Sequence, residues 1–224
     1  MSVYSPENSA AVIATLAEYG VIPVIAIDSV EAALPLADAL IEGGLPVAEI
    51  TFRTAAAAEV IRLLAEKRPA LTVGAGTVLT LQNLEAAREC GAKFAVAPGC
   101  NPAIVKRAQA SGLPFVPGVA TPTDIETALS LGCRVLKFFP SEALGGIPMI
   151  QALIGPYKHA GVRFVPTGGV SAANLETYLR TEGVAAVGGT WIAKKEDLAQ
   201  GQWEAIQERC RLAREVVRSV RGDT

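Results

Sequence analysis

The chain of 224 residues contains a single histidine, His159, and no pair of cysteines spaced as Cys-x-x-Cys. This disfavours a hydrolase built on a Ser-His-Asp triad, a histidine-rich metal site, and a zinc or redox motif. The four cysteines are far apart in the sequence, and we expect reduced, mostly buried thiols. Any catalysis must then depend on lysine, glutamate, arginine and hydroxyl side chains.

No apolar run approaches the roughly 18 residues that a membrane-spanning helix needs. Residues 1–8 lack the basic segment and the apolar core of a secretory signal. The net charge of −2 gives no electrostatic reason to expect binding to nucleic acid or to an anionic membrane. We therefore expect a cytoplasmic protein that binds small molecules.

Short runs of apolar and β-branched residues recur along the chain, with about 20 to 29 residues between successive starts. This spacing leaves room for one strand, one helix and two tight loops in each repeat. The repeats predict an α/β fold, a (β/α)8 TIM barrel, as one domain over residues 1–224, with residues 8–20 as an extra N-terminal helix at its base. The predicted strands are Val21–Ile27, Pro46–Phe52, Leu71–Thr77, Lys93–Pro98, Pro114–Gly118, Arg134–Phe139, Arg163–Thr167 and Val184–Gly188.

The segments between the predicted strands have the pattern of helices, as in Ser29–Glu42 and Thr54–Lys67. A further helix is predicted over Trp203–Val220. Several of the helical segments open with a residue type that commonly caps a helix. These predicted caps are Ser29, Thr54, Thr80, Thr121 and Ser171.

The second predicted strand carries Glu49, Thr51 and Arg53 on one face and only apolar residues on the other. In a barrel, alternate strand residues point into the lumen and the others toward the helices. The apolar face must pack on the helices, so the three polar side chains should project into the lumen. A Glu49–Arg53 pair that only neutralises itself is the structural alternative.

Lys137 lies in the sixth predicted strand, on the same face as Val135 and Phe139. An ammonium group is strongly hydrated, so a lysine within an apolar strand needs a reason. Burial disfavours the charged amine, and a neutral amine is a nucleophile toward carbonyl groups. The sequence therefore favours a Schiff-base enzyme, with a side chain that snorkels to solvent as the alternative. Lys93, at the start of its strand, is expected to be solvated.

Glycine-containing motifs end three of the predicted strands. Paired glycines let backbone N–H groups approach an anion closely, and the loops after strands seven and eight of a barrel commonly hold phosphate. The sequence has neither the third glycine of a dinucleotide fingerprint nor a P-loop, so NAD and nucleoside triphosphates are not indicated. The motifs are Gly74-Ala75-Gly76-Thr77, Pro166-Thr167-Gly168-Gly169 and Gly188-Gly189-Thr190.

Taken in order and with their spacing, these motifs resemble those of the 2-keto-3-deoxy-6-phosphogluconate (KDPG) and 4-hydroxy-2-oxoglutarate (KHG) aldolases of the bacterial Entner–Doudoroff pathway. The resemblance extends from about Ile22 to Trp191. It depends on the segments Glu49-Ile50-Thr51-Phe52-Arg53-Thr54, Gly74-Ala75-Gly76-Thr77-Val78, Ala97-Pro98-Gly99, Lys137-Phe138-Phe139-Pro140, Pro166-Thr167-Gly168-Gly169 and Gly188-Gly189-Thr190-Trp191.

The resemblance implies a class I aldolase, a lyase that uses no cofactor and no metal. It implies that Lys137 forms the Schiff base and that Glu49 is the proton shuttle. Arg53 and Thr77 would hold the carboxylate of the pyruvyl group. The enzyme would act as a homotrimer on a small 2-keto acid and release a phosphorylated aldehyde.

For the rest of the site, the resemblance implies a pyruvate pocket and a distal end that receives the phosphate and the distal hydroxyl groups. Thr190 is often serine in the family, so the sequence leaves open the gluconate and galactonate epimers and the preference for phosphorylated substrates. The pocket is assigned to Pro98 and Phe139, and the distal end to Thr167, Gly168, Gly169, Gly189 and Thr190.

Three other functions fit parts of the pattern. A phosphate-binding barrel isomerase or synthase would use Glu49 as a base and form no pyruvate–lysine adduct. A metal-dependent class II aldolase would be inactivated by EDTA. A non-catalytic sugar-acid-binding barrel would bind ligand without turnover and leave Lys137 unmodified.

Overall fold

The computed structural model describes residues 6–222, so residues 1–5 and 223–224 of the predicted domain lie outside the described residues. Short parallel strands alternate with helices along this part of the chain. The strands are β1 (Val21–Ile25), β2 (Val47–Thr51), β3 (Thr72–Gly76), β4 (Ala95–Val96), β5 (Phe115–Val116), β6 (Gly118–Val119), β7 (Val135–Phe138), β8 (Arg163–Pro166) and β9 (Val187–Gly189).

The helices that follow the strands pack on the outside of the sheet, and helix α1 (Pro6–Tyr19) precedes β1. Two short 3-10 helices, Glu142–Leu144 and Lys158–Ala160, flank one of them. The further α-helices are α2 (Ala33–Glu42), α3 (Ala57–Lys67), α4 (Leu81–Glu89), α5 (Pro102–Ser111), α6 (Pro122–Ser130), α7 (Gly146–Tyr157), α8 (Leu175–Arg180), α9 (Lys195–Gln200) and α10 (Trp203–Arg221).

The strands form the (β/α)8 barrel that the sequence predicts. One sheet has the order β5-β4-β3-β2-β1-β9 and the other the order β6-β7-β8. Isolated bridges from Phe164 to Val184 and from Thr167 to Gly188 join the β8 side to the β9 side. The chain itself joins the two sheets at their other edges, where β5 leads into β6. The result is a closed ring of parallel strands, which positions side chains from distant parts of the sequence around one lumen.

The fifth predicted strand, Pro114–Gly118, is divided into β5 and β6 on either side of Pro117. Proline has no N–H group to donate to a strand ladder, so pairing is interrupted there. β5 pairs with β4, whereas β6 pairs with β7 and places Gly118 opposite Lys137. The prediction of one continuous strand is therefore wrong. The carbonyl of Pro117 still accepts a hydrogen bond from the Lys137 N–H at 2.9 Å.

Helix α1 lies across the amino-terminal end of the barrel. Its side chains Ile13, Leu16 and Ala17 line the same interior space as Ile22 and Val135, which belong to the starts of β1 and β7. These apolar side chains close the lumen at the amino-terminal end of the barrel. The lumen can therefore admit a ligand from the opposite end, where the loops after the strands lie.

Among the predicted helix caps, Thr80 and Thr121 are confirmed. The Thr121 hydroxyl accepts a hydrogen bond from the Asp124 N–H at 3.3 Å, and the Asp124 carboxylate accepts one from the Thr121 N–H at 2.9 Å. This reciprocal pair is a capping box. The predictions for Ser29, Thr54 and Ser171 are wrong, because α2, α3 and α8 begin three or four residues later.

The structure also shows the exposure of individual residues discussed above. Lys93 is exposed, as expected, and His159 is exposed as well. The four cysteines are free thiols, with Cys90 and Cys210 buried and the other two half-buried. Burial raises the pKa of the Cys210 thiol to about 12. Within residues 6–222, the helices are too short or too polar for any of them to cross a bilayer.

Replacing Thr121 by alanine removes the cap of α6 and leaves the Asp124 N–H without its partner. We expect the free energy of unfolding to fall by about 1 kcal/mol, which for a chain of this size lowers the melting temperature by about 2–4 °C. Urea denaturation measures the change. Thr123→Ala, at an exposed position of the same helix, is the control and should leave stability almost unchanged; equal losses in both variants would contradict the capping role.

Candidate active site

Lys137 and Glu49 meet inside the barrel. The Lys137 Nζ atom donates a hydrogen bond to Glu49 Oε1 at 3.1 Å. Lys137 is 5% exposed and Glu49 is 3% exposed. The lysine therefore does not snorkel to solvent, and Glu49 pairs with Lys137 rather than with Arg53.

The two residues belong to strands that are not neighbours. Glu49 lies on β2, which pairs with β1 and β3, and Lys137 lies on β7, which pairs with β6 and β8. Their contact therefore crosses the lumen. A nucleophilic amine and a carboxylate at this distance can exchange a proton directly, which is the arrangement that covalent carbonyl chemistry requires. The Phe139 ring stands beside them, with its centre 5.7 Å from Lys137 Nζ.

Gly76 leaves the space that the Glu49 carboxylate occupies. It ends β3, next to β2, and a Cβ atom built at this position would lie 2.3 Å from Glu49 Oε1. No side chain fits within that distance. Gly76 is therefore required for space beside the carboxylate.

Pro98 and Gly118 are in similarly close contact. A Cβ atom at Gly118 would lie 2.1 Å from the Pro98 carbonyl oxygen, and Gly118 is opposite Lys137 in the register of β6 and β7. The absence of a side chain at Gly118 thus lets the Pro98 backbone approach the lysine strand. Pro98 and Phe139 are both half-buried at the carboxyl ends of their strands.

Arg53 lies at the mouth of the barrel rather than on a strand. β2 ends at Thr51, so Arg53 lies two residues beyond the strand whose alternation predicted that it points inward. Arg53 is exposed, and its Nε atom donates to Thr51 Oγ1 at 3.1 Å. The Thr51 hydroxyl in turn donates to the Ile25 carbonyl at 3.0 Å. Within the described residues, the bond from Nε to Thr51 is the only hydrogen bond of the Arg53 guanidinium group, so its terminal nitrogens form none there.

Thr77 has a φ angle of +56°, in the left-handed region that β-branched residues rarely adopt. Such a backbone costs about 1–3 kcal/mol and persists only where the surroundings hold it. Here the Phe52 N–H donates to the Gly76 carbonyl at 2.8 Å, and the Val78 N–H donates to the Val96 carbonyl at 3.1 Å. Both sides of Thr77 are therefore fixed. Strain of this kind concentrates at functional sites, which supports the role predicted for Thr77.

The motif Thr167-Gly168-Gly169 follows β8 and is bonded to the loop after β7. The Ser141 N–H donates to the Thr167 carbonyl at 2.8 Å, and the Glu142 N–H donates to the Gly168 carbonyl at 3.0 Å. Gly168 and Gly169 have φ angles of +95° and +87°, which glycine adopts without strain. Both glycines lie at the carboxyl end of the barrel, just after β8.

Gly188, Gly189 and Thr190 complete this end of the barrel at the end of β9. A Cβ atom at Gly188 would lie 2.2 Å from Thr167 Oγ1, and one at Gly189 would lie 2.2 Å from the Trp191 ring. Gly188 and Gly189 are buried and Thr190 is exposed. The structure therefore brings together the predicted distal residues from the ends of β8 and β9.

The loop after β9 is held from outside the barrel. Arg209 on α10 donates to the Trp191 carbonyl at 3.1 Å and forms an ion pair of 2.6 Å with Asp197. Asp197 is buried, and its carboxylate also accepts from the Lys194 N–H at 3.0 Å.

No cluster of three or more His, Cys, Asp or Glu side chains that could hold a metal ion occurs in the described part of the chain.

Comparison with known proteins identifies the family. Residues 12–209 match the family model described as KDPG and KHG aldolase. The chain belongs to the KDPG/KHG aldolase family. A 2-dehydro-3-deoxy-phosphogluconate aldolase of Haemophilus influenzae is 47% identical over 206 residues, covering 92% of this chain and 95% of the relative. A KHG/KDPG aldolase of Escherichia coli K12 is 41% identical over 197 residues, covering 88% of this chain and 90% of the relative.

A solved structure of this aldolase family has the same fold. KDPG aldolase from Legionella pneumophila superimposes with a TM-score of 0.85 at 40% identity, covering 89% of this chain and 96% of that one. That structure contains pyruvate captured at low pH as a covalent carbinolamine intermediate. The family and the barrel predicted from the sequence are thus confirmed.

Three polar residues beside the distal loops were not predicted from the sequence, namely Ser141, Glu142 and Tyr178. Ser141 and Glu142 directly follow the motif that contains Lys137, so their position in the chain was a usable signal. Tyr178 lies on α8, and its hydroxyl contacts both of the other residues. No spacing in the sequence indicates that contact, because it depends on how α8 packs against the loop.

Substituting Gly76 by alanine is expected to displace the Glu49 carboxylate and break its contact with Lys137. A displacement of about 1 Å at a reacting group costs about 100-fold in rate, so KDPG turnover should fall by at least about that factor. Pyruvate release measures it. Gly155→Ala is the control, since a Cβ atom there meets nothing within 4 Å. Full activity of Gly76→Ala in a folded protein would contradict the role of Gly76.

Proposed function

We propose that the protein is a class I aldolase that cleaves KDPG to pyruvate and glyceraldehyde 3-phosphate, and KHG to pyruvate and glyoxylate. The observation that carries this proposal is the buried Lys137–Glu49 contact of 3.1 Å across the barrel lumen. The gluconate epimer is proposed over the galactonate epimer because the relatives at 41% and 47% identity are named for phosphogluconate. The covalent pyruvate of the Legionella structure supports the Schiff base.

The reaction begins when the Lys137 amine attacks the C2 carbonyl carbon of the substrate. The resulting carbinolamine loses water, and Glu49 carries the protons that this dehydration requires. The product of dehydration is an iminium ion on Lys137. Its positive charge makes it an acceptor for an electron pair from the neighbouring carbon–carbon bond.

Cleavage follows when a base removes the proton of the C4 hydroxyl group. The electrons of the C3–C4 bond move into the iminium group, the aldehyde product leaves, and a pyruvate enamine remains on Lys137. Protonation at C3 and hydrolysis of the iminium release pyruvate and restore the amine. Each step uses lysine and carboxylate chemistry, which suits a chain with one exposed histidine.

The remaining site residues are assigned to the two ends of the substrate. Arg53 and Thr77 hold the pyruvyl carboxylate. The terminal nitrogens of Arg53 support this role, since they form no hydrogen bond within the part of the chain that the structure describes. Pro98 and Phe139 form the walls of the pyruvate pocket beside Lys137. The distal phosphate and hydroxyl groups bind to the residues at the ends of β8 and β9, namely Thr167, Gly168, Gly169, Gly189 and Thr190.

A reduced pyruvate adduct on Lys137 tests the covalent mechanism. Incubation with pyruvate and then borohydride should add one carboxyethyl group to the wild type, which intact-protein mass spectrometry and peptide mapping locate on Lys137. Lys137→Ala should acquire none. Lys93→Ala is the matched control, because Lys93 is exposed at the start of a strand, and it should be labelled as fully as the wild type.

Activity and binding assays, made alongside this labelling experiment, separate the alternative functions. A folded wild type that acquires no adduct but converts a phosphorylated substrate would favour a non-covalent isomerase or synthase. Binding without turnover or adduct would favour a sugar-acid-binding barrel. Loss of activity in EDTA would favour a metal-dependent aldolase.

We also propose a cytoplasmic homotrimer, as the family resemblance implies. Leu79 and Leu81 support contact between copies, since they are 55% and 48% exposed and flank Thr80, the cap at the start of α4. Light scattering of the wild type should give three times the chain mass. A Leu79→Glu/Leu81→Glu variant should give the monomer, whereas Leu212→Glu on α10 should leave the trimer intact. A monomeric wild type would contradict the trimer, and a trimeric double variant would contradict this contact surface.

A further inference from the structure

Tyr178 forms a buried hydrogen-bonded chain beneath the distal end of the barrel. The residue is fully buried on α8, and its hydroxyl lies 2.9 Å from Ser141 Oγ, which is also fully buried. The same hydroxyl donates to Glu142 Oε1. Because a tyrosine hydroxyl has one proton to donate, Ser141 must be the donor in the other bond. The chain therefore runs from Ser141 to Tyr178 to Glu142.

Both partners of Tyr178 are hydrogen-bonded to the glycine motif after β8. The N–H groups of Ser141 and Glu142 donate to the carbonyls of Thr167 and Gly168, at 2.8 and 3.0 Å. Tyr178 thus holds the side chains of Ser141 and Glu142 by hydrogen bonds. The backbone of these two residues in turn holds the backbone of the motif. Within the described residues, the Tyr178 hydroxyl forms no hydrogen bond with Lys137 or Glu49.

The side chain of Glu142 also packs directly against Gly169. A Cβ atom at Gly169 would lie 2.3 Å from Glu142 Cγ and 2.5 Å from Glu142 Cβ. Glu142 is exposed, so its carboxylate is restrained mainly by the bond from Tyr178. Without that bond, a negative charge beside Gly169 is free to turn toward the place where an anion would bind, and like charges repel there.

The Tyr178 hydroxyl remains a donor over the physiological pH range. Burial and the Glu142 carboxylate raise the pKa of Tyr178 to about 12. A neutral hydroxyl that donates to a carboxylate forms a charge-assisted hydrogen bond, which is stronger than a bond between neutral groups.

We propose that Tyr178 is a positioning residue for the phosphate-bearing end of the substrate. It fixes the Thr167–Gly168 backbone through Ser141 and Glu142, and it directs the Glu142 carboxylate away from the anion. This inference rests on the proposed function, in which the glycine motif binds the phosphate. Tyr178 does not touch the substrate, so its loss affects affinity for the distal group and leaves the chemistry at Lys137 intact.

The test compares Tyr178→Phe with the wild type on two substrates. For KDPG, which carries the phosphate, KM should rise about tenfold while kcat stays within about twofold, since a hydrogen bond to a charged group is lost. For KHG, which has no phosphate, both constants should be unchanged. Inorganic phosphate, used as an inhibitor of KHG cleavage, should bind the variant about tenfold more weakly.

Tyr157→Phe is the matched control, because the Tyr157 hydroxyl bonds to Glu126 at 3.0 Å on the outer helices and not to the distal loops. It should behave as the wild type with both substrates. Ser141→Ala removes the bond that Ser141 donates to Tyr178 but leaves the bond from Tyr178 to Glu142. Its KM for KDPG should therefore rise less than that of Tyr178→Phe, by about threefold, with KHG cleavage unchanged. It provides a second variant if the first is unstable.

Parallel losses on both substrates, or no loss on either, would overturn the positioning role while leaving the aldolase assignment intact. A wild type that cleaves neither substrate and forms no pyruvate adduct would instead overturn the proposed function, and this inference with it. The adduct experiment on Lys137 therefore distinguishes the two failures.

Discussion

The contact between Lys137 and Glu49 is the constraint on which the rest of the site depends. Placing two ionisable groups in a barrel lumen costs several kcal/mol per ion unless each has a partner. The two residues come from strands that are not adjacent, so only a closed ring of strands brings their side chains together. The apolar side chains of α1 close that ring at its amino-terminal end. A reactive amine is thereby held where water has little access and where a carbonyl substrate can enter from one side.

The glycines of the barrel create the space in which this contact forms. Gly76 leaves room for the Glu49 carboxylate, Gly118 admits the Pro98 carbonyl, and Gly188 accommodates the Thr167 hydroxyl. At each of these positions a Cβ atom would lie within 2.3 Å of its neighbour. Their role is the close approach of neighbouring atoms, unlike that of Gly168 and Gly169, whose positive φ angles shape a loop. Space and backbone conformation are thus separate reasons for glycine within one site.

The two ends of the site are built from different elements. The reacting groups lie on β2 and β7, whose neighbours in the sheets restrain them on both sides. The distal end is formed by loops after β7, β8 and β9, which depend on contacts from α8 and α10. Residues on strands are placed more rigidly than residues on loops. In the proposed function, this division keeps the chemistry fixed while the distal loops select among substrates.

The sequence by itself determined the repeated strand–helix pattern and hence the barrel, because apolar periodicity reflects which residues must be buried. It also singled out Lys137 and Glu49, since charged residues in apolar strands are costly without a partner. Other features were decided only by the tertiary structure. The break at Pro117, the later starts of α2 and α3, and the exposed position of Arg53 depend on where strand pairing ends. The partner of Glu49 and the contact of Tyr178 join residues distant in the chain, and local patterns carry no information about which distant groups will meet.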